Sequence, residues 1–393
     1  MTETRGRILV VDDVAENRDL LVRRLQRLGI TSVDQAANGI EALAALGRQT
    51  YDLMLLDIMM PEMDGFQVLD TLQADGRVND LPVIVISALN EIDAVVRCIE
   101  KGAEDFLFKP FNPVLLRARV LSSLEKKALR DRTRNELKRK QYELNEARTL
   151  QLALVPPSLR ENVGGHLLSL QVVLEPAKEV GGDLVDHFRI GDDLVVFLVG
   201  DVSDKGAGAA LMMARTHSMF RSLAARPDAH ALFSDPKNAM DIVNAALAAG
   251  NASCMFVTLF LGVLNLPDCV LTYVRAGHVP PFHRNGDASI KRLTAAGGPP
   301  LGLVEGLRYR QDRVTLSRHD NLLVVTDGFT EANDAEGRLF GDARVEAFLA
   351  GADAPTSETL ASLVQTVHTF EAGRQFDDMA AILLALGPPD EHI

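Results

Sequence analysis

Residues 178–188 read KEVGGDLVDHF. Gly181 and Gly182 bare the backbone just before Asp183, and a second acid, Asp186, follows three residues on. Gly-Gly-Asp is ordinary turn chemistry. It is also what a chain needs where something bulky and charged must approach a carboxylate, because glycine has no Cβ. The surrounding sequence separates these readings. GDVSDKG (200–206) ends an apolar run at Asp201, LLVVTDGFTEA (322–332) ends one at Asp327, and FDDMAAILLAL (376–386) begins one at Asp377. Each acid sits beside glycine or another acid. Clustered without partners in a core, they would cost on the order of several kcal/mol each. Two divalent cations roughly 4 Å apart would neutralise them and activate a water for in-line attack on a phosphoester. On that reading Gly181 and Gly182 let the backbone and a phosphate approach the metal pair.

The rest of residues 158–388 is mostly strand-like. LLSLQVVLEP, DLVVFLVGD, MFVTLFLGVLN, CVLTYVRAG, NLLVVTDG and MAAILLAL are apolar and β-branched, with Gly, Pro and Asn/Asp turns between them. ALMMARTHSMFRSLAA (210–225) and AMDIVNAALAAGN (239–251) read as two helical inserts, giving an α+β domain.

Residues 5–123 have a different texture. RILVV (7–11), YDLMLLD (51–57), LPVIVIS (81–87) and DFLFK (105–109) are near-continuous apolar runs, as expected of parallel strands buried on both faces. Amphipathic stretches alternate with them, such as NRDLLVRRLQRLG (17–29), closed by Gly29. This is the pattern of an open, doubly wound α/β sheet of five parallel strands. In such sheets ligands bind beyond the carboxyl ends of the strands, where Asp12, Asp13, Asp57, Ser87 and Lys109 fall. Three converging carboxylates call for a hard divalent ion such as Mg²⁺. A lysine and a hydroxyl opposite suit a small anion such as a phosphoryl group.

Between the two lies a segment, 124–157, that is free of glycine and packed with Lys, Arg and Glu up to Pro156-Pro157. It reads as one long helix. Leu137 and Leu144 sit seven apart with Gln151 next in the series, and Leu121, Ala128 and Leu129 form a second stripe, so a coiled coil joining two chains is expected. Lys138-Arg139-Lys140 is interleaved with Glu136, Glu143 and Glu146, which makes it a solvated face and not a nucleic-acid site. The 393-residue chain has a net charge of −13, which suits neither nucleic acid nor an anionic membrane. No apolar run reaches the roughly 18 residues of a membrane span, and the N-terminus is no signal peptide, so a cytoplasmic location is expected. Cys98, Cys254 and Cys269 lie in apolar runs and are expected to be buried thiols.

Two resemblances sharpen these readings. VVDD, LLDIMMPEMDG, VISA and FLFKPF together resemble a two-component receiver domain. The resemblance implies Asp57 as phosphoacceptor, and Asp12, Asp13 and the Met59 carbonyl, with Asp57, as holders of Mg²⁺. It also implies Ser87 and Lys109 as phosphoryl contacts and Phe106 as the aromatic switch. It further implies a sensor histidine kinase as partner.

KEVGGDLVD, GDVSDKGAGAALMMA, MFVTLFLGVL, AGHVPP, GGPPLGL, TDGFTEAND and FDDMAAILL resemble, in order, the SpoIIE-type branch of the PPM metal-dependent serine/threonine phosphatases. That family's fold is an α-β-β-α sandwich. The resemblance puts two Mn²⁺ or Mg²⁺ ions on Asp183, Asp201, the Val202 carbonyl, Asp327 and Asp377, with Asp378 alongside, and a phosphate-facing base at Lys178. Ser203 stands where many members carry histidine, GDVSDKG replaces GDVSGKG, and DDMA replaces DDxT. None of these changes removes a metal acid. His187, His217 and His278 form no recognisable triad and are expected to be structural.

Together these imply a response regulator whose output is a protein phosphatase. Its expected substrate is a phosphoserine or phosphothreonine protein, an anti-sigma-factor antagonist of the STAS type, and the linker helix would make it a homodimer. The alternative is an adaptor that uses the phosphatase-like domain only to dock a sigma-factor-pathway protein. Degenerate domains lose their metal acids, whereas this chain keeps all four.

Overall fold

Near-continuous apolar strands need cover on both faces, and the computed structural model of the chain shows how each receives it. The structure describes residues 6–88, 92–163, 165–351, 358–373 and 375–389; Arg5, the expected start of the first domain, lies outside them. The chain divides into two compact units, residues 1–140 and 141–393.

In the first unit five strands pair in parallel, in the order Val33–Ala36, Ile8–Val11, Leu53–Asp57, Val83–Ala88, Asp105–Lys109. Alternate residues serve different cores. Leu9, Val11, Met54, Leu56, Val83 and Val85 pack with Val68, Leu69 and Leu72 of helix Gly65–Ala74. Ile8, Val10, Leu53, Leu55, Ile84 and Ile86 pack with Leu21 and Leu25 of helix Ala15–Arg27 and with Leu116 and Val120. Gly29 follows the helix Ala15–Arg27 with a φ of 84°, the left-handed conformation of a helix stop.

The long helix spans Pro113–Leu152, 40 residues, with proline at its first position. The segment expected as a linker therefore has no start of its own, because it continues the first unit's last helix. Glu104 pairs with Lys126 and Arg130, and Asp80 with Arg134, so receiver acids hold the helix well beyond its apolar first turns. Leu129 and Leu137 are exposed, but Gln151 is buried in the second unit.

That second unit is built on two six-stranded sheets. One has Leu184–Ile190, Leu194–Val202, Val257–Asn265 and Val270–Ala276 side by side, antiparallel throughout. The other contains Phe282–Arg284, Asn321–Val325, Met379–Gly387, His166–Glu175 and Leu159–Val163 in that order, also antiparallel. Val195, Phe197 and Val199 face Ala380, Ile382 and Leu384 between the sheets. Leu194, Val196 and Leu198 face out to the helices Ala207–Ala224 and Pro236–Ala248. Ala381 and Leu383 face out to the helices Gly341–Gly351 and Thr359–Phe370. This is the expected sandwich of two sheets between helical layers.

Two corrections arise. The helical inserts number more than two: Ala229–Ser234, Gly341–Gly351 and Thr359–Phe370 are helices as well. Ala229–Ser234 is short, and Thr359–Phe370 is rich in Val and Thr, which blurs the helical period. Cys254 is exposed, with a φ of 53° in the turn after helix Pro236–Ala248, while Cys98 and Cys269 are buried.

Candidate functional sites

The carboxyl end of the parallel sheet gathers its acids as expected. Asp12, Asp13 and Asp57 bring carboxylate oxygens within 4.8 Å of one another, a donor set that fits a hard divalent cation. Lys109 closes the site, its Nζ 2.8 Å from Asp57 Oδ2 and 2.9 Å from Asp12 Oδ2. Burial pushes the Asp57 carboxyl up to about 6 against the opposing pull of Lys109. Burial also works against the Lys109 charge, but its bonds to Asp57 and Asp12 outweigh it and hold its pKa above the ordinary value. Ser87 is buried at the end of the next strand, Phe106 is half-buried against Phe108, and Met59 is exposed. Asn17 and Arg18, which sequence reasoning passed over, hold Asp12 by its carboxylate and by its carbonyl.

In the second unit Asp201 ends strand Leu194–Val202, Asp327 opens the single helical turn Asp327–Thr330, and Asp377 and Asp378 precede strand Met379–Gly387. Asp183 lies beneath them, 1% exposed, its Oδ2 accepting from Thr326 Oγ1 at 2.7 Å. The acids sense one another. Burial, then the charges of Asp201 and Asp378, push Asp183 well above the carboxylate range. Burial and Asp327 push Asp201 up to about 7. Burial, then Glu331 and Asp377, raise Asp327. Among the described residues only Asp12, Asp13 and Asp57 bring three carboxylate oxygens within 4.8 Å of one another. The second unit's acids feel one another's charge without three of them meeting so closely, and their all-oxygen chemistry suits Mn²⁺ or Mg²⁺.

Asp377 and Asp378 divide the work. Asp377 Oδ1 lies 2.8 Å from Lys205 Nζ. Asp378 instead accepts two backbone N–H groups, from Ala177 and from Gly182, each at 2.7 Å. A Cβ on Gly181 would lie 2.3 Å from Asp378 Oδ2, and one on Gly328 would lie 1.9 Å from the Asp378 carbonyl. Gly181 therefore makes room for the protein's own carboxylate, whereas a Cβ on Gly182 would lie 3.0 Å from the Val202 carbonyl.

Asp186 is not a site residue. It is fully buried and held by Arg221 through Nε at 2.7 Å and Nη2 at 2.5 Å, with His217 Nε2 3.1 Å away. His187 bonds the Pro157 carbonyl at 2.7 Å. His278 is buried, and that burial, with Arg275 beside it, pushes its pKa down to about 3, so it stays neutral. Ser203 accepts from the Phe256 N–H at 2.9 Å, which commits its hydroxyl oxygen to bracing the Asp201 loop. Lys178 is exposed.

Residues 8–121 match the response regulator receiver domain family, and residues 191–386 match the family described as Stage II sporulation protein E (SpoIIE). The chain belongs to the response regulators that join a receiver to a SpoIIE-type PPM phosphatase domain. Asp183 lies just ahead of the second match. Protein IcfG of Synechocystis sp. (strain ATCC 27184 / PCC 6803 / Kazusa) is 29% identical over 266 residues, which is 61% of this chain and 41% of that protein. Response regulator PleD of Caulobacter vibrioides is 37% identical over 183 residues, 46% of this chain and 38% of that protein. The chain thus spans under half the length of either relative. The SiaA-PP2C domain of Pseudomonas aeruginosa matches with a TM-score of 0.53 at 19% identity, covering 64% of this chain and 98% of that one. That likeness speaks to the fold.

Proposed function

We propose that this chain is a receiver-controlled, Mn²⁺- or Mg²⁺-dependent protein serine/threonine phosphatase. The observation that carries the reading is the acid cluster Asp183, Asp201 and Asp327, whose carboxyls burial and mutual charge drive upward while Asp377 is neutralised by Lys205. Asp183, Asp201, Asp327, Asp377 and the Val202 carbonyl would hold two ions, which when bound supply an activated water and neutralise phosphoryl charge.

The chain's own groups prepare that site. Thr326 orients Asp183 through its hydroxyl, and the Asp378 clamp fixes the backbone on which Asp183 rides. With Ser203 bound to Phe256, His187 bound to Pro157 and His278 held neutral by burial, leaving-group protonation falls to water. Lys178, exposed three residues ahead of Gly181, is the proposed contact for substrate phosphate.

In the receiver, Asp57 is the proposed phosphoacceptor, with Mg²⁺ held by Asp12, Asp13, Asp57 and the Met59 carbonyl. Lys109 and Ser87 would receive the phosphoryl oxygens and Phe106 would report the change. A sensor histidine kinase would supply the phosphoryl group. The substrate would be an anti-sigma-factor antagonist of the STAS type, and the exposed Leu129 and Leu137 favour pairing of two helices in a homodimer. Proposed domain limits are 5–123, 124–157 and 158–388. Among the described residues no helix is long and apolar enough to cross a membrane.

The test is phosphate release from p-nitrophenyl phosphate with Mn²⁺, with and without beryllofluoride as a mimic of phosphorylated Asp57, beside Asp377→Asn. Metal-dependent turnover that is lost in the variant and altered by beryllofluoride is the expected result. No metal-dependent turnover, with a phosphoprotein substrate also untouched, would favour the adaptor reading.

A further inference from the structure

The last turns of the long helix are bonded to the segment that carries Asp183. Gln141, Arg148 and Gln151 are spaced by seven and three residues, which sets them on one helical face. Gln141 Nε2 donates to Glu179 Oε1 at 3.1 Å and Arg148 Nη1 donates to the Lys178 carbonyl at 3.0 Å. Gln151 goes further. Its Nε2 donates to the Gly181 carbonyl at 2.9 Å, and its Oε1 accepts from the Gly181 N–H at 3.1 Å. The side chain is 6% exposed, so each amide atom would be left buried without a partner if Gly181 moved. The next residue, Gly182, donates to Asp378, and Asp183 follows. The Gly181-Gly182 backbone is thus pinned by Gln151 and by Asp378. A coiled-coil seam running through Leu137 and Leu144 would place an apolar residue at 151, and the chain places an amide there instead.

We propose that Gln151 is a positioning residue for the metal acids. It fixes the Gly181-Gly182 backbone so that Asp183 and Asp378 hold one geometry, and it makes cation affinity depend on the helix end being seated. The proposal rests on the reading of Asp183 as a metal ligand given above. Gln151 touches no reacting group. It is the point at which a displacement of the helix would reach the metal acids, because unpairing Gly181 frees the strap that carries Asp183.

The experiment is Mn²⁺ binding to the full-length protein by calorimetry, with Gln151→Met, Gln151→Asn and, as a control, Gln171→Met. Gln171 is 5% exposed and accepts from the Leu360 N–H at 2.9 Å, in strand His166–Glu175. It sits four residues, or roughly 13 Å, back from Glu175, which pairs with Met379. Both Gln151 variants are expected to bind Mn²⁺ about tenfold more weakly, the scale of losing a partner that orients a metal ligand. They should need correspondingly more Mn²⁺ for half-maximal hydrolysis, while kcat at saturating Mn²⁺ stays near wild type. Gln171→Met should lower the unfolding temperature and leave Mn²⁺ affinity unchanged. Gln151→Asn keeps the amide one methylene short and decides the case if the Met variant does not fold. Wild-type affinity in the Gln151 variants overturns the inference and leaves the metal site standing. An equal loss in Gln171→Met reduces Gln151 to packing and also overturns it. No Mn²⁺ binding by the wild type overturns the metal-site reading and takes this inference with it.

Discussion

Replacing Asp201 by Asn should stabilise the metal-free protein at alkaline pH and abolish its response to Mn²⁺. Burial and the charge of Asp327 raise the Asp201 carboxyl from 3.8 to about 7. An acid whose folded pKa is raised binds its proton more tightly in the native state. Native stability therefore falls as pH rises from the unfolded value, near 4, through the folded value, near 7, and the loss is complete above it. At about 1.36 kcal/mol per pH unit, a rise of that size is worth about 4 kcal/mol at pH 8. Asn is isosteric and cannot ionise, so the variant should escape this loss and also relieve Asp183 and Asp327, which feel the same charge. The assay is urea unfolding of the second unit in EDTA, followed from pH 5 to pH 8. The wild type should lose stability across that window, and Asp201→Asn should lose less and be the more stable of the two at pH 8, with the remaining slope coming from Asp183 and Asp327, which burial also raises. Added Mn²⁺ should reverse the order at pH 8 by stabilising only the wild type. Parallel pH profiles in EDTA would refute the argument, because they would mean that the acids are not held together against their own charge.

Three further outcomes are expected. In EDTA the Asp57 carboxyl should titrate near 6, as seen by NMR, and move down when Mg²⁺ is added; Lys109→Ala should move it up, because the ammonium 2.8 Å away opposes the burial effect. Gly181→Ala should cost roughly 1–3 kcal/mol of stability and weaken Mn²⁺ binding, since its methyl would meet Asp378 Oδ2 at 2.3 Å; an unchanged unfolding midpoint would show that Asp378 is not fixed there. Lys205→Ala should raise Mn²⁺ affinity by a few-fold at most, because the ammonium competes for Asp377 through a pair that is partly solvent-screened; weaker binding would mean that Lys205 supports the site instead of competing for it.

The receiver was legible almost entirely because parallel strands covered on both faces have no polar side to confuse. The exception is Val33–Ala36, an edge strand whose VDQA sequence carries exposed and half-exposed positions and little apolar signal. The second unit reads as strand for the same reason at a larger scale. Leu194–Val202 alternates between the inter-sheet core and the helical layer, and both faces demand apolar residues. Its later helices were obscured because Thr359–Phe370 is rich in Val and Thr, which also suit strands. The acids proposed as metal ligands stand out in the sequence because Gly-Asp and Asp-Asp at strand ends are costly in a core. Their supports were not. Thr326 reaches Asp183 across 143 residues and Gln151 reaches Gly181 across 30, and no local pattern announces a hydrogen bond between distant segments.

Adjacent acids with different partners explain why a glycine stands at 181. Asp378 spends its carboxylate on the N–H groups of Ala177 and Gly182, while Asp377 next to it faces Lys205. Each Asp378 oxygen accepts one backbone amide, so the side chain is fixed to the backbone of the strap ahead of Asp183. Its neighbour Asp377 is paired instead with the Lys205 ammonium at 2.8 Å, a partner that a bound cation could replace. For the first acid to reach those amides, the strand bearing Met379 and the strap bearing Asp183 must approach closer than any side chain permits, and Gly181 and Gly328 are the two residues that allow it. The bare backbone at 181 is therefore a packing requirement of one aspartate that serves the metal chemistry proposed for the others.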